Sequence, residues 1–202
     1  MSVYDRILGT PFVYNHVRPL AVGGIDMSPF YNRVASQSGD TILDVGCGTG
    51  DALNYLRDFS KYVGIDTDKV AIRFAHEKHQ GRPNVSFECR LCDEADLVEL
   101  KPTQILCCGL LHHLSNPQAL DLLRLAKASP RLQRIVTSDP VYLDNELLSN
   151  LFARFDRGRF CRREAEYKAL VEDAGLRVVE SAIVRSHPTR GLAKWLMMTI
   201  QP

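Results

Sequence analysis

From residue 41 onward, short apolar runs alternate with longer stretches in which apolar residues recur every three to four positions. The short runs predict β-strands and the longer stretches predict α-helices. Such alternation is typical of repeated βα units around a parallel sheet. We predict strands at 41–45, 62–66, 85–91, 104–109, 134–138, 176–184 and 194–201, and helices near 51–59, 69–79, 117–128 and 162–174.

The last two predicted strands are joined by "RSHPTRGLA", which is too short for a crossover helix, so they should pair antiparallel. We therefore predict one α/β domain over 1–202, a Rossmann-like three-layer sandwich whose seven-stranded, mainly parallel sheet has an antiparallel last strand. Within it we expect an N-terminal helical cap (1–40), a cofactor-binding core (41–139), a substrate-side insertion with a helix (140–175) and a C-terminal antiparallel strand pair (176–202).

Composition agrees with a single domain and excludes some partners. A chain of 202 residues, 45% hydrophobic, has enough volume for a core. Its net charge of +1 gives no overall attraction to nucleic acid or to membranes. We see no signal peptide and no apolar run of the roughly 18 residues that a membrane span needs, so we expect a cytoplasmic protein without stable membrane insertion. The six cysteines lie mostly in strand-like runs and are expected to be reduced thiols.

The glycine-rich stretch "LDVGCGTGD" at 43–51 predicts a ligand that approaches the backbone closely. A phosphate-binding Walker loop needs a Lys after its last glycine, whereas Gly50 is followed by Asp51. A dinucleotide loop needs its third glycine at the position of Asp51, and the acids Asp44 and Asp51 would repel a pyrophosphate. A ligand without phosphate and with a positive charge fits better. A nicotinamide-dependent oxidoreductase is the alternative.

The same stretch resembles the first motif of the class I S-adenosylmethionine-dependent methyltransferases, apolar-apolar-(Asp/Glu)-apolar-Gly-x-Gly-x-Gly. The resemblance implies S-adenosylmethionine as cofactor and S-adenosylhomocysteine as product. It places Asp44 near the ammonium of the methionine moiety. It also implies that the loop packs against the cofactor, through Gly46, Cys47, Gly48 and Gly50. Acids around the loop suit a ligand that carries a sulfonium and an ammonium.

A second acid follows at the end of the second predicted strand, in "YVGIDTD". Asp66 stands where a carboxylate can accept hydrogen bonds from the ribose hydroxyls of an adenosine. The spacing of Asp66 from Gly46 strengthens this assignment, since acids after strands are otherwise common. Thr67 would then lie near the adenine.

Two further stretches resemble the same family. In "VSFECRLCDEADL", Leu91 stands where the family usually has an acid that binds the adenine amino group, so we assign Cys92 and Asp93 to the cofactor site instead. "QILCCGLLHHLSNP" resembles the fourth strand of the family followed by a "vLHHl" turn. This likeness implies that the backbone at Cys108 and Gly109 contacts the methionine part of the cofactor.

The sequence constrains the residues that bind the methyl acceptor less than those that bind the cofactor. Methyl transfer depends mainly on positioning of the two reactants, and a general base is optional. His112 and His113 follow the fourth predicted strand, where one could act as a general base. Alternatively, one bonds the backbone and the other packs beneath the next helix. Asp139 and Tyr142 follow the fifth predicted strand and are candidates for substrate orientation, although Asp-Pro also opens ordinary turns.

The N-terminal cap and a basic stretch supply the remaining candidates. Tyr4, Tyr14 and His16 could close over the site, or they could simply be core residues. The stretch 150–163 has five Arg and one Asp, and its Arg159 could bind an acidic group on the acceptor. That stretch could equally be a solvated helix face or a lid that meets acidic lipids.

We expect no metal site, because the paired cysteines lie in predicted strands, where neighbouring side chains point to opposite faces. The predicted function is methyl transfer from S-adenosylmethionine to a small-molecule acceptor, by O- or N-methylation of a metabolite, and no nucleic acid partner is expected. The alternatives are the nicotinamide-dependent oxidoreductase and a cofactor-binding protein without catalysis. The acceptor and the oligomeric state are left open.

Overall fold

A computed structural model describes residues 25–156 and 158–202. The predicted site residues Tyr4, Tyr14 and His16, and most of the predicted cap at 1–40, lie outside this part of the chain. Within it, the end of the cap region forms helix α1 (Ser28–Val34), which buries Phe30 and Val34 against the sheet.

The described strands form one sheet with the order β3-β2-β1-β4-β5-β8-β7, and the two-residue β6 pairs with β5. Their bounds are β1 Thr41–Val45, β2 Lys61–Asp66, β3 Val85–Cys89, β4 Gln104–Cys108, β5 Arg134–Tyr142, β6 Arg162–Arg163, β7 Arg177–Arg185 and β8 Lys194–Gln201. Strands β1 to β5 pair in parallel, while β8 pairs antiparallel to both β5 and β7. The predicted Rossmann-like sheet with an antiparallel last strand is confirmed.

Two hydrophobic clusters cover the two faces of the sheet, as a three-layer sandwich requires. Adjacent residues of β1 belong to different clusters, since Ile42 packs with α1 and Leu43 packs with the opposite helix layer. The other helices are α2 Lys69–Lys78, α3 Glu94–Leu100, α4 Asn116–Lys127, α5 Leu147–Phe155 and α6 Glu164–Asp173. Among the described residues no helix is long and apolar enough to cross a membrane. The cytoplasmic location stays a prediction.

Several predicted elements need correction. The helix expected at 51–59 is a single 3-10 turn, Asp51–Asn54, in which Leu53 N bonds Gly50 O and Tyr55 N bonds Ala52 O. Helices α3 and α5 were not predicted. Helix α3 begins with a capping box in which Asp93 and Asp96 bond each other's backbone amides, a signal that the sequence did contain.

Strand β5 continues to Tyr142, past the predicted end at 138. Asp139 and Pro140 do not open a turn, because they pair with Leu196 and Trp195 of β8. Asp139 and Tyr142 are therefore strand residues rather than loop residues. Conversely, β3 and β4 end at Cys89 and Cys108, one or two residues earlier than predicted.

Candidate active site

Two adjoining cavities lie at the carboxyl ends of β1, β2 and β4, where open α/β sheets bind ligands. The first, the aromatic cavity, has a volume of about 500 Å³ and is lined by Asp44, the glycine loop and several aromatic side chains. The second, the β2 cavity, has a volume of about 510 Å³ and includes Asp66 and Thr67. Both cavities share the backbone of two loops, at Gly46, Gly48, Thr49, Cys108 and Gly109.

The three glycines of the loop after β1 have positive φ angles but different surroundings. A Cβ on Gly50 would lie 2.8 Å from the ring of Phe87, so this glycine is required for packing, and it is not among the residues that line either cavity. A Cβ on Gly48, at φ +54°, would meet nothing within 4 Å. The missing side chain of Gly48 thus leaves open space beside the backbone where both cavities meet.

Asp66, at the end of β2, holds this loop in place. Its Oδ2 accepts a hydrogen bond from Gly48 N at 2.9 Å, and its Oδ1 accepts one from Asp68 N at 2.9 Å. Each carboxylate oxygen can accept a second hydrogen bond. Asp66 can therefore bind hydroxyls in the β2 cavity while it fixes the glycine loop.

Asp44 is a buried carboxylate in the wall of the aromatic cavity. Its Oδ2 accepts a hydrogen bond from the Tyr62 hydroxyl at 2.6 Å. Burial raises the pKa of Asp44 to about 7, and the negative charges of Asp66 and Asp51 act in the same direction, against the bond from Tyr62. A cation in this cavity would favour the charged carboxylate and would itself be stabilised.

His112 lies in a 3-10 turn, Leu111–His113, directly after β4, and it is almost fully buried. Its backbone N and its ring Nδ1 lie 3.0 Å and 2.8 Å from Asp139 Oδ1, and its Nε2 lies 3.0 Å from Asp156 Oδ1. Burial alone would lower the pKa of His112, but the two carboxylates outweigh it and raise the pKa to about 9. In the protein without a bound cation, the carboxylates at both ring nitrogens favour the protonated ring of His112, which cannot accept a further proton.

This chain is similar to known methyltransferases in the sequence that forms these loops and in its fold. The family described as "Methyltransferase domain" matches residues 42–129, which include the glycine loop, Asp66 and the 3-10 turn after β4. Magnesium protoporphyrin IX methyltransferase from Synechocystis, solved with bound S-adenosylhomocysteine, shares the fold with a TM-score of 0.64 and 18% identity, over 98% of this chain and 92% of that chain. Residues 42–129 thus match a methyltransferase domain, and the described fold is that of solved S-adenosylmethionine-dependent methyltransferases.

Other relatives share only part of the sequence. The tRNA U34 carboxymethyltransferase of Campylobacter curvus is 27% identical over 109 residues, which are 52% of this chain and 36% of the relative. Mitomycin 7-O-methyltransferase has the same fold, with a TM-score of 0.65 and 20% identity over 99% of this chain and 60% of that chain. The chain spans 14–36% of the length of the curated relatives that it matches.

The fold brings some predicted cofactor residues together and leaves others apart. Cys92 lines the β2 cavity, whereas Asp93 caps α3 and is not among the lining residues. Arg90 and the exposed Leu91 line this cavity as well, although the sequence did not single out Arg90. Arg90 is held by paired contacts to Asp96, which a local sequence pattern does not reveal.

The structure also separates the predicted acceptor residues from one another. His113 is exposed and lines the β2 cavity, with its ring centroid 4.2 Å from that of His112. Tyr142 and the exposed Arg159 line neither cavity. The basic stretch is also divided, because Arg162 is buried and donates to the carbonyls of the 3-10 turn, at Leu111 and Leu114.

The aromatic cavity contains functional candidates that the sequence did not indicate. Tyr31 of α1 stacks on Tyr55, with ring centroids 4.6 Å apart, and both line the cavity with Met27, Phe74 and Trp195. These residues come from separate elements, and the antiparallel insertion of β8 beside β5 carries Trp195 to the site. Only the tertiary fold assembles this wall.

Proposed function

We propose that this chain transfers the methyl group of S-adenosylmethionine to a small-molecule acceptor. The observation that carries the proposal is the pair of cavities that meet at Gly48 and Gly109, with Asp44 lining one cavity and Asp66 lining the other. Asp66 serves a ribose in the β2 cavity, and Asp44 serves an ammonium in the aromatic cavity. S-adenosylmethionine has both groups, separated by its sulfonium.

In the β2 cavity, Asp66 binds the ribose hydroxyls while its two backbone bonds keep the glycine loop in place. Thr67, Leu91 and Cys92 line the same cavity and surround the adenine. Leu91 is 76% exposed, an apolar side chain that a flat ring would cover. Burial of its apolar surface favours binding of the ring.

In the aromatic cavity, Asp44 accepts the ammonium, and the backbone at Gly46, Gly48 and Cys108 packs against the methionine chain. The aromatic rings of Tyr31 and Tyr55 suit a cationic ligand, because ring faces attract positive charge. The open space at Gly48 lets the chain approach closely. When bound, the cofactor supplies an electrophilic methyl group.

The chain accelerates transfer mainly by holding the two reactants in line and by excluding water. His112 and Asp139 fix the turn after β4, which borders both cavities. The base role predicted for His112 and His113 stays a prediction, and the two carboxylate bonds oppose it for His112.

The size and lining of the aromatic cavity support a small acceptor, since a cavity of about 500 Å³ bordered by Tyr31, Tyr55 and Trp195 suits a metabolite. The names of two structural neighbours, magnesium protoporphyrin IX methyltransferase and mitomycin 7-O-methyltransferase, point the same way. The name of the relative from Campylobacter curvus instead raises an RNA acceptor. The basic stretch gives that alternative little support, because Arg162 is buried within the fold.

The test is transfer of radiolabel from S-adenosylmethionine, labelled in the methyl group, to separated metabolite and RNA fractions. We expect label in the metabolite fraction and its loss in Gly48→Ala, because a new Cβ fills the space at which both cavities meet. Gly81→Ala is the matched control, since Gly81 also has positive φ and open surroundings but lines neither cavity. Label in RNA alone would overturn the acceptor class, and cofactor binding without label in either fraction would favour a non-catalytic binding protein.

A further inference from the structure

Two side chains of the turn after β4 and one that follows α5 form a cluster with metal-ligating chemistry. His112, His113 and Asp156 each place one potential ligand atom within 4.8 Å of the others. His112 lines the aromatic cavity and His113 lines the β2 cavity, so the cluster lies where the two cavities meet. The ribose and ammonium contacts proposed above use Asp66 and Asp44, not these three side chains.

Asp139 fixes the orientation of the His112 ring. The same oxygen, Oδ1, accepts from the backbone N and from ring Nδ1, so Nε2 is the nitrogen that faces Asp156. A buried carboxylate behind the other ring nitrogen is the usual arrangement at metal-binding histidines. The ring is thus oriented for coordination before any ion binds, and the ion would displace the Nε2 proton to solvent.

The backbone of the next segment holds Asp156 against His112. Gly158 N donates to Asp156 Oδ1 at 3.2 Å, and Phe160 N donates to His112 O at 2.9 Å. A Cβ on Gly158 would lie 1.8 Å from His112 Cδ2, so only glycine permits this approach. These backbone contacts fix the position of the Asp156 carboxylate beside the ring of His112.

We propose that His112 Nε2, an imidazole nitrogen of His113 and a carboxylate oxygen of Asp156 bind a divalent transition-metal ion. Two imidazoles and one carboxylate are a ligand set that Zn²⁺ and Fe²⁺ accept with positions left open. Ligand bonds of about 2.1 Å put neighbouring ligand atoms roughly 3 Å apart. The Nε2 to Oδ1 distance is already 3.0 Å, and His113 offers a third ligand atom within 4.8 Å of both.

The use of the ion in catalysis rests on the proposed function, although ion binding itself does not. An ion with open positions beside the aromatic cavity would bind the oxygen of an acceptor hydroxyl and lower its pKa. The hydroxyl proton passes to solvent, the oxygen–carbon bond forms, and the electron pair of the broken carbon–sulfur bond stays on sulfur. The acceptor class would then be a hydroxyl compound, and a second adjacent oxygen would strengthen its binding to the ion.

The experiment titrates Co²⁺ into the chelator-treated full chain and follows the visible spectrum of the bound ion together with binding heat. We expect one Co²⁺ per chain. Loss of a ligand in His113→Ala or Asp156→Asn should raise the Kd by tenfold or more, and Asp139→Asn should raise it roughly 10- to 100-fold by releasing the His112 ring. The control is His76→Ala, which removes an exposed histidine that lines neither cavity.

S-adenosylhomocysteine is titrated into the same variants, so that folding and cofactor binding are measured separately from ion binding. The site is supported if the wild type binds Co²⁺, and if the His113 and Asp156 variants bind Co²⁺ more weakly while they still bind S-adenosylhomocysteine. No saturable Co²⁺ binding by wild type, or a Kd unchanged in both ligand variants, overturns it. A chain that binds Co²⁺ in this way but not S-adenosylhomocysteine would contradict the proposed function alone.

Discussion

Asp66 combines a structural and a proposed binding role at one carboxylate. Removing it in Asp66→Ala frees the Gly48 and Asp68 amides and takes away the proposed ribose acceptor. We expect binding of S-adenosylhomocysteine to weaken by about 1 to 3 kcal/mol, the scale for the loss of a charged hydrogen-bond partner. Calorimetric titration measures the change. The control is Asp121→Ala, which removes an exposed acid that lines neither cavity and should leave the affinity for S-adenosylhomocysteine unchanged. An unchanged affinity in Asp66→Ala would instead contradict the assignment of Asp66 to the ribose.

Asp44 should make cofactor binding depend on pH. Its pKa of about 7 in the folded protein lies above its ordinary value of 3.8, so the free protein holds this proton until the pH passes about 7. Between pH 3.8 and about 7 the folded state binds more protons than the unfolded state, so the contribution of Asp44 to the free energy of unfolding falls as pH rises. An ammonium needs the charged carboxylate, so the Kd of S-adenosylhomocysteine should fall as pH rises from about 5.5 to 7.5, by at most tenfold per pH unit.

The control for this pH dependence is Asp44→Asn, which removes the titrating group and keeps its size. We expect weak binding by this variant with a nearly flat pH profile over the same range. A wild-type profile that is equally flat would show that Asp44 does not meet the ammonium.

At the residue scale, the sequence predicts those site residues that a local pattern places. Asp44, Gly48 and Asp66 lie at or just beyond the carboxyl ends of recognisable strands, and the structure puts all three beside the cavities. Local patterns do not predict the hydrogen-bond partners of His112, because Asp139 is typical of a turn residue and Asp156 lies 44 residues further along the chain. Both reach the ring only through tertiary packing.

At the scale of elements, the loop between β1 and the 3-10 turn is fixed by packing as well as by φ. Gly50→Ala would place a Cβ 2.8 Å from Phe87, whereas Gly81→Ala would meet nothing within 4 Å, and both positions have positive φ. We expect Gly50→Ala to reduce the free energy of unfolding by about 1 to 3 kcal/mol more than Gly81→Ala does, because of the added overlap. Urea unfolding of both variants measures the difference. Equal losses would mean that Phe87 moves aside freely.

Strands and helices are predicted correctly where their sequence pattern depends only on neighbouring residues. Strands β1, β2 and β4 are buried apolar runs, and the sequence places them to within a residue. Helix α5 was missed although its apolar residues recur at helical spacing; Leu147, Leu148 and Leu151 are exposed, whereas Ser149 and Ala153 are buried. The extension of β5 was missed because Asp139 and Pro140 are strand residues only by virtue of pairing with β8.

At the scale of the whole molecule, topology makes one site out of distant segments. The parallel strands β1, β2 and β4 bring the glycine loop, Asp66 and the His112 turn to one edge, as the alternation of strands and helices predicts. The antiparallel β8 then adds Trp195 to the same cavity. The proposed cofactor half of the site is thus readable from sequence, while the proposed acceptor half depends on the assembled fold.

The central claim is that one adenosine compound with a cationic tail occupies both cavities, and calorimetric titration with S-adenosylhomocysteine tests it most directly. A parallel titration uses NAD, the ligand of the alternative oxidoreductase. We predict saturable binding of one S-adenosylhomocysteine per chain, with no comparable binding of NAD. Tight binding of NAD, or no binding of S-adenosylhomocysteine by the folded chain, would contradict the claim.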